Sequence, residues 1–529
     1  MKITGIAYLC GISFLTLMAV SSTAGAAPHE NKVPAPIERH RLLVHEELSS
    51  RGFAVASGYF RLYTREDCQY SYPVMHTCYG NNPAAPYVTF AVPPWPEEHV
   101  APSLHEAFGQ TREDFSTTFR FDPREALVIF GQLPPPAAYF GMQTYLFTRS
   151  GTIYTQSAIY QYIASHYLPL LPTFFAPVPN LDPPRIQLFA SLGNSINDVV
   201  VKNQSGAAFN QERFFIITPD RAMDRAVREA LAALGVPARD IFTEPIPSTA
   251  ILGLGEDADD FLFVMRYAMP RDGGAPGSVS DTWRNTLPLT VLRIRETGDR
   301  APEPYGAPRL DQRTAVDESA LAPGLATLVS EVCNRWGQPC ATGDCSDRYE
   351  PFIDLQSPPI SLVGPVCSDL ATNIGMNCLG DTQDTTYQGT VNLTLDQGEV
   401  YAVAGTFGVR TGNATYVGLS VNDSLLVKGL DNVETDRLRS TVSAYAAVLD
   451  DPDKYFLYYF SRDCTALEEL TGGHCLSIDT DMIPVCDTYG SPECHYLKLI
   501  LREYIAKGST RGPDSELILM PRLIRLQRL

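Results

Sequence analysis

Between Arg213 and Pro247 the apolar residues change period twice. Phe214 to Ile217 run without a break, as in a buried strand; Met223, Val227, Ala230, Leu231 and Leu234 then return at the spacing of one helical face. Ile241-Phe242 resumes the extended pattern, and Pro245 and Pro247 stop it. Thr218 is placed to cap the helix, Pro219 suits its first turn, and Gly235 with Pro237 ends it. Asp224 precedes Arg228 by four residues, the favourable order for a helical ion pair. The pattern predicts a strand–helix–strand unit.

The same reading extends along the chain. Ile37, Leu42, Val44 and Leu48 predict a short amphipathic helix. Strands are predicted at Phe53–Thr64, Tyr87–Val92, Ala126–Phe130, Arg185–Ala190 and Leu287–Ile294. Asp260 to Met269 is a further apolar core segment, and Ala138 to Thr148 reads equally as strand or helix. From 296 to 324 periodicity disappears among Pro302, Pro304, Gly306, Pro308, Pro323 and Gly324, the texture of a linker. Beyond it, Val391–Leu395 and Val400–Val409 predict a hairpin, and Thr415–Val421 and Tyr455–Phe460 further strands. Asp436–Leu449 and Leu497–Tyr504 read as helices, and the tail as a closing strand. No internal repeat is visible. The expected fold class is α+β: an α/β-like part with a mixed sheet over 28–295, a Pro/Gly-rich linker over 296–324, and a β-rich, disulfide-braced part over 325–529.

Composition changes this picture in two respects. A net charge of −19 argues against nucleic acid as a partner. Residues 1–26 carry Lys2, an apolar run from Ile6 to Val20 and the small-residue site Ala24-Gly25-Ala26, which together predict a cleaved secretory signal. That run falls short of the ~20 residues of a membrane span, and no later stretch reaches it. Removing Cys10 leaves eleven cysteines. Cys68 with Cys78, Cys367 with Cys378, Cys464 with Cys475 and Cys486 with Cys494 form short-range pairs. In an oxidising compartment these read as disulfides, and their spacings do not match a zinc site. Eleven is odd, and the trio Cys333, Cys340 and Cys345 is the expected place for the remaining thiol. The expected location is secreted or periplasmic.

Candidate chemistry is sparse. Leu192-Gly193-Asn194-Ser195-Ile196-Asn197-Asp198 follows a predicted strand and resembles the first block of the GDSL family of secreted esterases. That resemblance implies Ser195 as a nucleophile exposed on a turn. Asn194 stands where the family has Asp, and neither His474 nor His495 has an Asp three residues before it. The alternative is a plain turn between two elements. His76, inside the Cys68–Cys78 loop, is the other candidate catalytic group. Asp257, Asp259 and Asp260, with Glu256, offer oxygen ligands for a hard cation such as calcium, or else the start of a helix. No phosphate loop, dinucleotide fingerprint or zinc-protease helix is present, so no cofactor is indicated. Two functions stand: an exported hydrolase with a loop-built site in the N-terminal part, or a non-catalytic extracellular or envelope protein that binds a ligand.

Overall fold

In the computed structural model the strands Glu212–Thr218 and Ile241–Pro245 are parallel neighbours around the helix Arg221–Ala233. Met223, Val227, Ala230 and Leu231 are its buried stripe, and Arg228 reaches Asp224 at 3.0 Å. The cap sits two residues later than expected. Asp220 accepts from the Ala222 amide at 2.9 Å, while the Thr218 hydroxyl accepts from the Asp220 amide at 3.1 Å and donates to the Glu125 carbonyl at 2.6 Å. The structure describes residues 34–527 except 81–84, 102, 106, 167, 169–170, 308–309, 343–345, 347–348, 351, 355–366, 368–371, 487–490 and 492. The expected signal peptide at 1–26 and Cys345 lie outside the described residues.

The fold is α+β. In the first part a mixed five-stranded sheet runs Phe53–Ser57, Leu289–Glu296, Glu125–Gln132, Glu212–Thr218, Ile241–Pro245. The helices Ala35–Ser50 and Arg221–Ala233 cover one face, where Val44, Leu48, Val227 and Leu231 meet Val128, Ile216 and Leu292. Leu127, Ile129, Phe215 and Val291 on the other face pack against a second, antiparallel sheet. Its main strands run Tyr59–Tyr63, Tyr87–Ala91, Asp260–Pro270, Ala137–Ser150, Arg185–Ser191. The later part has two five-stranded sheets. One runs Tyr349–Glu350, Arg522–Gln527, Glu399–Thr406, Tyr455–Ser461, Cys475–Ser477, under the helix Ala322–Arg335. The other runs Phe352–Asp354, Thr385–Thr390, Leu497–Tyr504, Tyr416–Asp423, Lys428–Glu434. Val403, Phe456, Val417, Leu419, Leu499 and Leu501 fill the space between them.

Contrary to the expectation of no repeat, the chain folds the same way twice. Set aside the two-residue strands Thr118–Phe119 and Ile196–Asn197, and number the ten remaining strands of each part in chain order. One sheet then runs 1-10-4-7-8 and the other 2-3-9-5-6, in both parts. The parallel pair is 7 with 8 in each. A helix precedes the first strand in each, and a disulfide (Cys68–Cys78, then Cys367–Cys378) closes the connection from strand 2 to strand 3. Register matches too: Arg266 lies opposite Gly141, and Arg502 opposite Gly418. Tyr87 and Tyr387 stand 300 residues apart but Arg266 and Arg502 only 236, so unequal insertions erase any fixed period.

Other expectations are corrected. Leu497–Tyr504 is a strand: Leu497, Leu499 and Leu501 alternate inward, a period of two that a helical reading obscured. Val391–Leu395 forms no strand and contributes one bridge, Leu393 with Leu497. Asp436–Leu449 breaks into the short helix Thr435–Leu438 and the 3-10 turn Ser443–Val448. The Pro/Gly-rich stretch is held where it passes the first part, by Arg300 on Asp220 and Glu303 on Arg225. All four expected short-range cysteine pairs are disulfides. Among the described residues no helix is long and apolar enough to cross a membrane.

Candidate functional site

Gly193-Asn194-Ser195 is a turn between the strand Arg185–Ser191 and the short strand Ile196–Asn197, and Asn197 then caps the helix Asp198–Ser205. The turn is not exposed as the esterase resemblance implies. Ser195 is buried, and its hydroxyl donates to Gln143 Oε1 at 2.6 Å and meets Thr382 Oγ1 at 2.8 Å. The Gln143 amide donates to the Gly193 carbonyl and to Glu244. Glu244 also accepts from the Thr144 amide and hydroxyl, and burial pushes its carboxyl up to about 7. On the other side Thr382 lies 2.6 Å from Asp384 Oδ1. Asp384 accepts from Tyr139 at 3.0 Å, and burial drives its carboxyl above the usual range.

Ser195 is therefore a member of a buried polar seam joining the two repeats. No histidine is among its partners in the described residues, and a serine without a base is a poor nucleophile. Ser195→Ala should lower stability by about 1–3 kcal/mol, the cost of leaving buried partners unsatisfied. Urea unfolding of the variant checks this; an unchanged midpoint contradicts the seam.

The structure does not bring His76 to Ser195. His76 ends the helix Cys68–Met75 in a left-handed conformation, exposed, on the wall of a cleft of about 630 Å3 between the repeats. Two of the three aspartates of the acidic patch are engaged in ion pairs. Asp257 is exposed, whereas Asp259 is fully buried on the Arg149 guanidinium, with both contacts at 2.7 Å. Asp260 is held by Arg120 at 2.9 Å and Arg185 at 2.7 Å. Guanidinium groups already supply the positive charge a metal would bring, and no metal-binding cluster occurs among the described residues. Nor does a helix begin there: Asp260 opens the strand Asp260–Pro270.

The cleft is the feature that sequence reading missed. Leu171, Pro172 and Thr173 form one wall; Ser424, Leu425, Val427 and Tyr496 form the other. The turn at 424–427 grips the first disulfide loop, with the Cys78 amide on the Leu426 carbonyl at 2.7 Å and the Gly80 amide on that of Val427 at 2.5 Å. Val427 takes a positive φ of 48°, a costly conformation for a β-branched residue. Asp423, buried behind this turn, accepts from the Leu425 amide at 2.9 Å and pairs with His495 at 2.7 Å. Cys494 and Tyr496 face the cleft while His495 does not line it, so this pair shapes the wall.

The equivalent place in the other repeat is filled. Met376 stands where His76 does, but it is fully buried in the first repeat's core with Ile163 and Phe174. The Tyr154 amide donates to the Ile374 carbonyl, and the Asn377 amide to that of Phe174. Ile163 and Phe174, from the segment inserted between strands 5 and 6 of the first repeat, help fill one of two related grooves, and the other is open. The only early signal was His76 inside a short disulfide loop.

No family model matches this chain, and no curated protein does. The solved structure of an uncharacterised protein from Burkholderia cenocepacia aligns over 93% of this chain and 87% of that one, at 10% identity and a TM-score of 0.36.

Proposed function

We propose that this is an exported, non-catalytic binding protein that takes a mainly apolar ligand with a few polar groups in the cleft between its two repeats. The observation that carries the reading is that open cleft, set against its filled counterpart. Its volume falls within the usual range of small-molecule sites. Leucine, proline, valine and tyrosine would supply the contact area; His76, Thr173, Asn392, Ser424 and Ser491 would orient the ligand. Export is supported by the leader-like first residues and by four disulfides. Binding is favoured over hydrolysis by the burial of Ser195, with no histidine among its partners in the described residues.

The test is a panel of amphipathic small molecules and short peptides, followed by calorimetry and unfolding midpoint, beside turnover assays on esters, peptides and glycosides. Binding without turnover is expected, with affinity at least tenfold weaker in Leu425→Asp, which puts a charge on the apolar wall. Saturable hydrolysis of any panel member, or binding unaltered in Leu425→Asp, refutes the reading.

A further inference from the structure

The reciprocal contacts between the repeats enclose a second space, distinct from the cleft. The Cys78-Tyr79-Gly80 loop lies against the turn before strand 6 of the second repeat. The Cys378-Leu379-Gly380 loop lies against strand 6 of the first, with the Cys378 amide on the Leu188 carbonyl at 2.7 Å and the Gly380 amide on that of Phe189 at 2.9 Å. An arginine from strand 9 of each repeat crosses to the other's loop. Arg266 donates to the Gly380 carbonyl at 2.8 Å, and Arg502 to that of Gly80 at 2.9 Å. Between them is a cavity of about 30 Å3, with Tyr87, Tyr387, Tyr139 and Tyr504 also on its wall.

Both arginines are more than nine-tenths buried. Besides the glycine carbonyls, Arg266 donates to the Tyr145 hydroxyl at 2.6 Å, and Arg502 to that of Ser420. Each guanidinium has five N–H groups, so most of its capacity remains. Among the described residues no carboxylate forms an ion pair with either. The nearby acid, Asp384, spends its oxygens on Tyr139, Asn197 and Thr382. The Tyr87 ring, 5.0 Å from the Arg266 guanidinium, offers only partial compensation. Two like charges taken out of water with no carboxylate in contact are costly, and they repel each other more strongly than they would in solvent.

We propose that this cavity is a small-anion site in which a monoanion of up to about three heavy atoms, a halide or a formate-like carboxylate, neutralises Arg266 and Arg502 and locks the repeats together. The space suits that size: it holds about two water-sized spheres. Planar guanidinium forks suit carboxylate oxygens and accept a spherical halide as well. Four tyrosine side chains complete the wall. The site uses one arginine from each repeat, so it exists only when both are folded and docked.

The test starts from protein dialysed into gluconate, an anion too large for the cavity. Formate and bromide are then titrated separately at constant ionic strength while the unfolding midpoint is followed. A saturable rise of about 3 °C is expected at a hundredfold excess over Kd. Crystals grown in bromide should show an anomalous peak between the two guanidinium groups. Response to both anions identifies a halide-tolerant site; response to formate alone identifies a carboxylate site. Arg502→Met should abolish the response. Ala268→Leu, which fills the cavity and keeps both arginines, should abolish it too while the protein remains folded. A linear, unsaturated salt effect with both anions, an equal response in Ala268→Leu, or no response to formate together with water in place of bromide in the crystal would falsify the proposal and leave the arginines as pins between loops.

Discussion

Arg293→Met is expected to destabilise the first repeat by about 3–5 kcal/mol at pH 8, the cost of removing one partner from a buried ion cluster. Arg293 is fully buried on the strand Leu289–Glu296. Its guanidinium pairs with Glu125, with Glu98 at 2.6 Å, and with the carbonyls of Arg120 at 2.6 Å and Pro93 at 3.1 Å. Glu98 in turn holds the amides of Trp95 and Arg120, so the cluster ties a long connection to the sheet. Methionine keeps most of the volume and leaves two carboxylates facing an apolar interior. Even with Arg293 present, burial pushes Glu125 up to about 7 from its usual 4.5. A carboxyl whose folded pKa is raised contributes fully below its unfolded value, and that contribution is lost as pH rises through the folded one. Removing the cation raises it further, so the deficit should be smallest near pH 5 and widen toward pH 8. Guanidinium unfolding at pH 5, 6.5 and 8 measures this, and Arg293→Met/Glu98→Gln/Glu125→Gln should recover most of the loss. A deficit below 1 kcal/mol, or one that does not change with pH, contradicts the account.

What could be read in advance follows the range of each interaction. The Arg221–Ala233 helix was legible because its stripe, ion pair and stop signal lie within fifteen residues. The disulfides were legible because each spans 8 to 11 residues. The duplication was not, because what the repeats share is strand order and a few positions: Cys-x-Gly after the loop, Tyr on strand 3, Tyr-x-Gly on strand 5, Arg on strand 9. The seam was not legible either. Gln143, Thr144 and Thr382 are ordinary strand and turn residues by sequence, and only folding puts Thr382 against Ser195 across 187 positions. The ion pairs of Asp259 and Asp260 were hidden for the same reason. A run of acids resembles a cation site until the arginines that neutralise it, from positions 75 to 140 residues away, are placed beside it.

The second large effect concerns the disulfide that carries the second repeat's loop into the first. Cys367→Ala/Cys378→Ala should cost about 3 kcal/mol from loop closure alone, for a bridge spanning 11 residues. Both sulfurs are buried in the first repeat's core, so the change also leaves a void there. The residues that follow are the ones the seam depends on: Gly380 on Phe189, Asp381 on the Ser191 amide and hydroxyl, and Thr382 on Ser195. Loosening the loop should therefore accelerate amide exchange over 378–384 by about a hundredfold, while the sheet Phe53–Glu296 keeps its protection. The same chemistry tests compartment. In native, unreduced protein the eight cysteines of the four bridges should resist alkylation, and they should react only after reductant and denaturant are added together. If they alkylate freely without reductant, the bridges are absent from the protein as it is made, and the case for export falls with them.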